Sequence, residues 1–489
     1  MSFLAFSGKI YSTMGKSIAH NTVWMTVASV GQKIISFAYF TILARNIGAE
    51  NTGKYFFALS FTTIFVVLVD LGLNNVLIRE GAREKSKLQT YLSSVLFAKI
   101  FLGGLSYLAV FSVINLMGYP IETKHLVYLS GLTMLFDSLH LSIYGVLRAL
   151  GNLKYEALAI TASQFLTLIL GTTFLYLGLP LIFLVLAFTI PSFLNVCYAG
   201  AVLYRNFQIK LTPHWDKGAL KFFARIAVPF ALAAVFARVY SYADSILLSK
   251  LAGDVAVGWY SIPYKITYAF QFIPLALVAA LYPKFSEYFA SDKQKLALVY
   301  EQGIKYLLLV VMPIAVGIGI LAKPIILSLY TPEYLNSILP LQVLLAGLVF
   351  SYISFPIGAF LNACNRQATQ TAIVFFVMIL NIALNFFLIP RYGVVGAAVS
   401  ALAGNFVLTA WGYIIVPRII TISHWFLFKS LGQILLAASV MGAVVYLVNI
   451  SFGYIIAILV GAIIYITTLF AFRALTVAQV KEGLLLIKK

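Results

Sequence analysis

The sequence is short of charge, and shorter still of one sign. Only 10% of its 489 residues are Asp, Glu, Lys or Arg, and the acidic ones number 15 against 34 basic. A soluble domain is about a quarter charged, so an ordinary water-exposed globule is excluded. There are two cysteines, Cys197 and Cys364, both inside apolar runs. They exclude a disulfide scaffold and read as packing residues. There is no Gly-x-x-x-x-Gly-Lys-Ser/Thr phosphate loop, no cluster with metal-ligand spacing and no polar stretch long enough for a nucleotide-hydrolysing domain. Strictly alternating segments of about ten residues are missing too, which excludes a membrane β-barrel. Residues 1–20 carry Lys9, Lys16 and His20 without a long apolar core and a small-residue cleavage site, so no cleavable leader is expected.

What is present is apolar. The chain is 62% hydrophobic, and runs of about 20 apolar residues recur along it, the mark of a polytopic helical membrane protein. Fourteen spans are predicted, near 21–44, 54–78, 90–116, 125–147, 154–177, 181–204, 226–249, 257–281, 300–321, 337–361, 368–389, 394–417, 429–449 and 452–472. Breakers mark the joints, among them Gly118-Tyr119-Pro120, Gly178-Leu179-Pro180, Lys323-Pro324, Thr331-Pro332 and Pro390-Arg391-Tyr392-Gly393. Pro263, Pro274 and Pro283 in span eight and Pro313 in span nine are expected hinges.

The net charge of +19 lies mainly in short loops, so it points to anionic lipid and not to nucleic acid. With the N-terminus inside, 24 Lys and Arg fall in inner segments and six in outer loops. That asymmetry places both termini in the cytoplasm.

One stretch occurs twice. Leu43-Ala44-Arg45-Asn46-Ile47-Gly48 followed by Gly53-Lys54-Tyr55 returns as Leu248-Ser249-Lys250-Leu251-Ala252-Gly253 followed by Gly258-Trp259-Tyr260, 205 residues later throughout. Each copy joins the first and second span of a half, and both lie on the same side. The halves are therefore repeats of like topology with a cavity expected between them. A fainter echo, Arg148-Ala149-Leu150-Gly151-Asn152 and Asn362-Ala363-Cys364-Asn365-Arg366, ends the fourth span of each. The expected division is an N-lobe at 1–204, a cytoplasmic linker at 205–225, a C-lobe at 226–420, and two further spans with a cytoplasmic tail at 421–489.

These pieces resemble the polysaccharide-transporter flippases of the multidrug/oligosaccharidyl-lipid/polysaccharide exporter superfamily. The resemblance covers essentially the whole chain. It rests on the duplicated motif, on Asp70-Leu71-Gly72-Leu73, on Pro229 and Asp244 in span seven, on Leu329-Tyr330-Thr331-Pro332-Glu333-Tyr334, and on the 6 + 6 + 2 layout. It implies an all-α fold of two six-helix lobes, opening alternately to either side, with two extra C-terminal helices that help form a groove for a lipid tail. It implies as cargo an oligosaccharide linked to polyprenyl phosphate or pyrophosphate, with polymerase or glycosyltransferase machinery as further partners. The protein is then expected in the cytoplasmic membrane, without enzyme activity or cofactor, coupled to a proton or sodium gradient or to the membrane potential.

Buried charge marks the candidate site. An ionisable residue at mid-span costs roughly 2.5–3.5 kcal/mol on insertion scales and faces a partner or a wet cavity. Lys33 and Arg238 each lie 12 residues into their spans, about 18 Å deep, and are again 205 apart. Together with Lys265 they are expected to receive an anionic head group; the bland alternative is that each snorkels or pairs with a carboxylate. Asp244 either neutralises Lys265 or holds Arg238 or Lys265 in place. Asp137 and His140, three residues apart on one helical face, form a coupling element or a structural pair. Tyr240, Tyr242, Tyr264, Tyr268 and Gln271, with Tyr260, offer ring faces and polar groups to a sugar, although most aromatics in such chains belong to packing and interfacial belts. Lys99 and Asp70 sit near inner span ends, where snorkelling or interfacial packing is expected.

Two rivals share the superfamily: a peptidoglycan-precursor flippase, and a cation-coupled multidrug exporter, which the basic balance disfavours. A membrane polymerase or glycosyltransferase would need a large polar loop that the sequence lacks.

Overall fold

The structure, a computed structural model, describes residues 2–476, with side chains from Trp24 onward apart from 219–220 and 224–230. Expectations that involve Lys9, Lys16, His20, Arg225, Pro229, Lys481, Lys488, Lys489 and the tail after residue 476 lie outside the described residues.

Every element assigned among the described residues is helical. In lipid each backbone N–H and C=O must be satisfied within its own segment, and apolar runs of this length do that as α-helix. The helices are α1 (Ser2–Asp70), α2 (Leu73–Arg83), α3 (Leu88–Leu116), α4 (Ile121–Ala149), α5 (Lys154–Tyr176), α6 (Leu181–Phe207), α7 (Lys217–Ala252), α8 (Asp254–Ala269), α9 (Phe272–Ser291), α10 (Lys293–Ile320), α11 (Ala322–Leu329), α12 (Ile338–Ala363), α13 (Gln367–Ile415), α14 (His424–Phe452) and α15 (Tyr454–Ala471). Among the described residues, twelve helical stretches are long and apolar enough to cross a membrane. Two of them, Trp24–Asp70 and Gln367–Arg418, are each a pair of helices joined at a glycine with non-helical torsions, Gly48 and Gly393. Twelve stretches, two of them doubled, hold fourteen segments, the number the sequence predicts.

The duplicated motif is a repeat of backbone geometry as well as of letters. Gly48 has φ 76° and ψ 172°, and Gly253 has φ 85° and ψ 175°. That corner of torsion space is essentially closed to residues with a Cβ, which is why glycine stands at both joints. The carboxylate of Glu333 accepts the N–H of Ala49 at 2.8 Å, and Trp259 Nε1 donates to the Glu333 carbonyl at 2.8 Å. Thr52 and Tyr334 share a hydroxyl hydrogen bond of 2.9 Å. Position 54, the counterpart of Trp259, is likewise tied to the glutamate that opens the fourth span of its half: Lys54 pairs with Glu122 at 2.9 Å.

By packing, the chain divides into one unit of Met1–Ile47 and Lys54–Tyr242 and another of Gly48–Gly53 and Ala243–Lys489. The core of the first is built on α2, α3, α4 and α6, with Leu77, Leu92, Tyr144, Leu147 and Leu203 fully buried. In the second, α12 packs on α13, α10 and α9, and the extra pair α14 and α15 packs on itself and on α10. Tyr465 on α15 donates to the Leu309 carbonyl of α10 at 2.9 Å.

Of the expected proline hinges in span eight, one breaks the helix. The stretch Asp254–Ser291 parts at Phe270–Gln271, while Pro263 and Pro283 remain inside α8 and α9. Pro274 has no N–H to offer the carbonyl of Phe270 four residues earlier. That carbonyl accepts the Tyr352 hydroxyl at 2.7 Å and the Ile273 N–H at 3.2 Å.

Candidate functional site

Each unit holds its own polar constellation. In the first, α4 supplies the key residues. Asp137 and His140 meet within one turn, Nε2 to Oδ1 3.1 Å, and Ser192 of α6 donates to the same Asp137 oxygen at 2.6 Å. The other ring nitrogen of His140, Nδ1, is buried without a hydrogen-bond partner. The Asp137–His140 pairing expected from the sequence is therefore present, with Ser192 added from across the helix interface.

Beside it lies a second pair. Lys99, whose side chain is 1% exposed, contacts Asp70 at 2.7 Å and donates to the carbonyl and hydroxyl of Ser138 at 2.9 and 3.0 Å. The ammonium thus has one ion-pair contact and two hydrogen bonds. Of the two expectations for this pair, snorkelling and packing, Lys99 follows the second. Neighbouring helices supply oxygens deep enough to hold the ammonium in place, so it has no need to reach the interface.

In the second unit the centre is Asp244 on α7, which is buried. Tyr260 donates to its Oδ2 at 3.0 Å, and Asn385 of α13 donates to its Oδ1 at 2.7 Å and to the carbonyl of Asn381 at 2.9 Å. Both carboxylate oxygens thus take neutral donors. Asn385 Oδ1 is buried with no partner. The first half has no such acid: 205 residues earlier stands Tyr39, packed edge-on against Phe188. Asn381 and Asn385 escaped the sequence reading. Two amides four apart in an otherwise apolar run are a legible signal, because both fall on one helical face.

The remaining candidates are placed as follows. Lys33 is half-buried in α1, and Arg238 is exposed on α7. By packing, Arg238 belongs with the first unit, as does Lys33, although the repeat register counts it in the second half. Lys265 is half-buried in α8, in the second unit. Tyr240 and Tyr242 are half-buried on α7. Tyr264 and Tyr268 stack on one face of α8, centroids 5.8 Å apart and planes 9° from parallel, with Tyr260 one turn earlier at 6.3 Å. Gln271 sits at the break between α8 and α9.

Comparison with known proteins follows the same lines. The family described as "Polysaccharide biosynthesis protein" matches residues 18–289, and the MatE family matches 229–387. The chain belongs to the polysaccharide biosynthesis protein family. It is 23% identical over 419 residues to a putative O-antigen transporter of Shigella flexneri, covering 78% of this chain and 94% of that one. It is 21% identical over 458 residues to a probable low-salt glycan biosynthesis flippase of Haloferax volcanii, covering 92% and 95%. Among solved structures it is similar to the lipid II flippase MurJ in an inward closed conformation, with TM-score 0.75, 18% identity and coverage of 92% and 99%. The fold is that of the multidrug/oligosaccharidyl-lipid/polysaccharide exporter superfamily, and the protein is a multi-pass membrane protein.

Proposed function

We propose that this protein moves an oligosaccharide linked to polyprenyl phosphate or pyrophosphate across the cytoplasmic membrane by alternating access, for the synthesis of a surface polysaccharide. The observation that carries the reading is the presence of Lys33 and Arg238 inside apolar spans of a chain whose family and relatives are named for glycan export. Cations at that depth are costly unless they meet an anion or water. Lys33, Arg238 and Lys265 bind the phosphate of the head group, and the stacked Tyr264 and Tyr268 with Tyr240, Tyr242 and Gln271 contact sugars. Asp244 in its amide cage and the Asp137–His140 pair couple the cycle to a proton or sodium gradient. Both termini lie in the cytoplasm, which the distribution of Lys and Arg favours.

The test is cell-surface polysaccharide in strains that carry Lys33→Ala or Arg238→Ala at parental protein levels. The expected result is loss of the polymer with lipid-linked precursor accumulating inside. Export equal to the parent in both strains overturns the head-group site. Intact surface polymer with depleted peptidoglycan identifies the cargo as the peptidoglycan precursor instead.

A further inference from the structure

The first unit carries a feature that neither polar constellation uses. An open cavity of about 300 Å³ lies between α5 and α6, lined chiefly by Leu158, Ala162, Leu166, Leu194 and Tyr198. It has the size of a small ligand site. Two lining residues, Ser163 and Asn195, spend their polar atoms on the protein. Asn195 donates to Ser163 at 2.6 Å and accepts from Tyr144 at 3.1 Å. The walls therefore present carbon. Leu158, Leu194 and Tyr198 are also exposed, so the cavity opens on the surface of the helix pair.

Both walls end in a cation at the same end. α5 and α6 are joined by a short turn at 177–180 and run antiparallel, so the start of α5 lies beside the end of α6. On α5 the stripe Leu166, Ala162, Leu158 continues at helical spacing to Tyr155. On α6 the stripe Leu194, Tyr198 continues to Arg205. The two ends touch: Asn206 donates to the Tyr155 hydroxyl at 3.0 Å. The Lys154 ammonium sits over the Tyr155 ring, 4.8 Å from its centre. Nearby Arg148 is neutralised by the buried Glu156 in a two-pronged pair. Lys154 and Arg205 are exposed, and among the described residues neither has a carboxylate partner. An apolar slot capped by two unneutralised cations and an amphipathic ring complements an acyl chain with an anionic head.

We propose that this groove holds one acyl chain of a resident anionic phospholipid, with its phosphate between Lys154 and Arg205 beside Tyr155. A glycan head group would need lateral polar contacts that these walls do not offer, which sets the site apart from the cargo path.

The test uses the full-length protein in detergent, stripped of lipid and titrated with phosphatidylglycerol or phosphatidylcholine, with bound lipid counted by native mass spectrometry. Phosphatidylglycerol binds more tightly. Its affinity falls about fivefold for Lys154→Gln or Arg205→Gln and about thirtyfold for both, while phosphatidylcholine is unaffected. Ala162→Trp fills the slot and removes both lipids. A second measurement needs no substitution. Cys197 is exposed on α6 next to Tyr198, and Cys364 is buried. Phosphatidylglycerol slows maleimide labelling of Cys197. Equal affinity for the two lipids, undiminished phosphatidylglycerol binding in the double variant, or labelling that polyprenyl phosphate slows and phosphatidylglycerol does not, each overturns the proposal.

Discussion

Gly53 and Gly258, 205 residues apart, each press against the backbone just ahead of the other. A Cβ on Gly53 would overlap the carbonyl of Asp254, and one on Gly258 would overlap the carbonyl of Ala49. Ala49 and Asp254 are themselves 205 apart, so the contact is reciprocal, a crossing of two equivalent helix starts at backbone distance. Such approaches are how small residues bring helices together in a membrane. Backbone cannot move aside as a side-chain tip can. Gly53→Ala or Gly258→Ala is therefore expected to destabilise the protein by about 1–3 kcal/mol or more. The drop would be read as a lower unfolding temperature of purified protein. Gly104→Ala on α3, where nothing lies within 4 Å, is the control and should be neutral.

Glu333 closes the same corner with charge. Its carboxylate accepts the Ala49 N–H at the start of a helix, where a negative charge also meets the positive end of the helix dipole. Glu333→Ala removes both effects and should cost about 1 kcal/mol. Glu333→Gln keeps an acceptor and should lose less. Chemical denaturation of the two variants beside the parent decides the order.

Lys99 and Asp70 are partners of unequal burial, their side chains 1% and 30% exposed. Removing the acid strands a buried cation, so Asp70→Asn should cost about 3–5 kcal/mol. Removing the cation leaves a carboxylate that water can reach, so Lys99→Met should cost clearly less. Equal losses for the two variants would mean that the pair is not held as described.

Asp292 lies between two membrane-crossing helices and caps α10, accepting the N–H groups of Gln294 and Lys295 at 3.0 Å each. The Lys295 backbone N–H, first among its partners, holds its carboxyl below the usual carboxylate range. A depressed carboxyl stabilises the fold fully above its unfolded value, about 3.9, and the contribution is lost as pH falls through the lower folded value. Amide exchange at Gln294 and Lys295 should therefore gain protection as pH rises through that window after correction for intrinsic rates. Asp292→Ala should abolish the gain.

The repeat was legible from the letters because it is a local property written twice. Glycine at 48 and 253 follows from torsion angles that other residues cannot hold, and the spans follow from apolar length. Asp137 and His140 were legible for a similar reason, since three residues along a helix bring side chains together without help from elsewhere. The partnership of Asn385 with Asp244 was not, because it spans 141 residues of sequence.

By itself the sequence determined how many times the chain crosses apolar ground and where it turns. Lipid offers the backbone no hydrogen bonds, so each segment must satisfy its own, and length with Gly and Pro suffices to mark it. Only the tertiary structure decided which oxygens hold Lys99, which amides hold Asp244, and which side chains line the cavity between α5 and α6. Such contacts depend on ångström distances between helices far apart in the chain, and no periodicity within one helix encodes them.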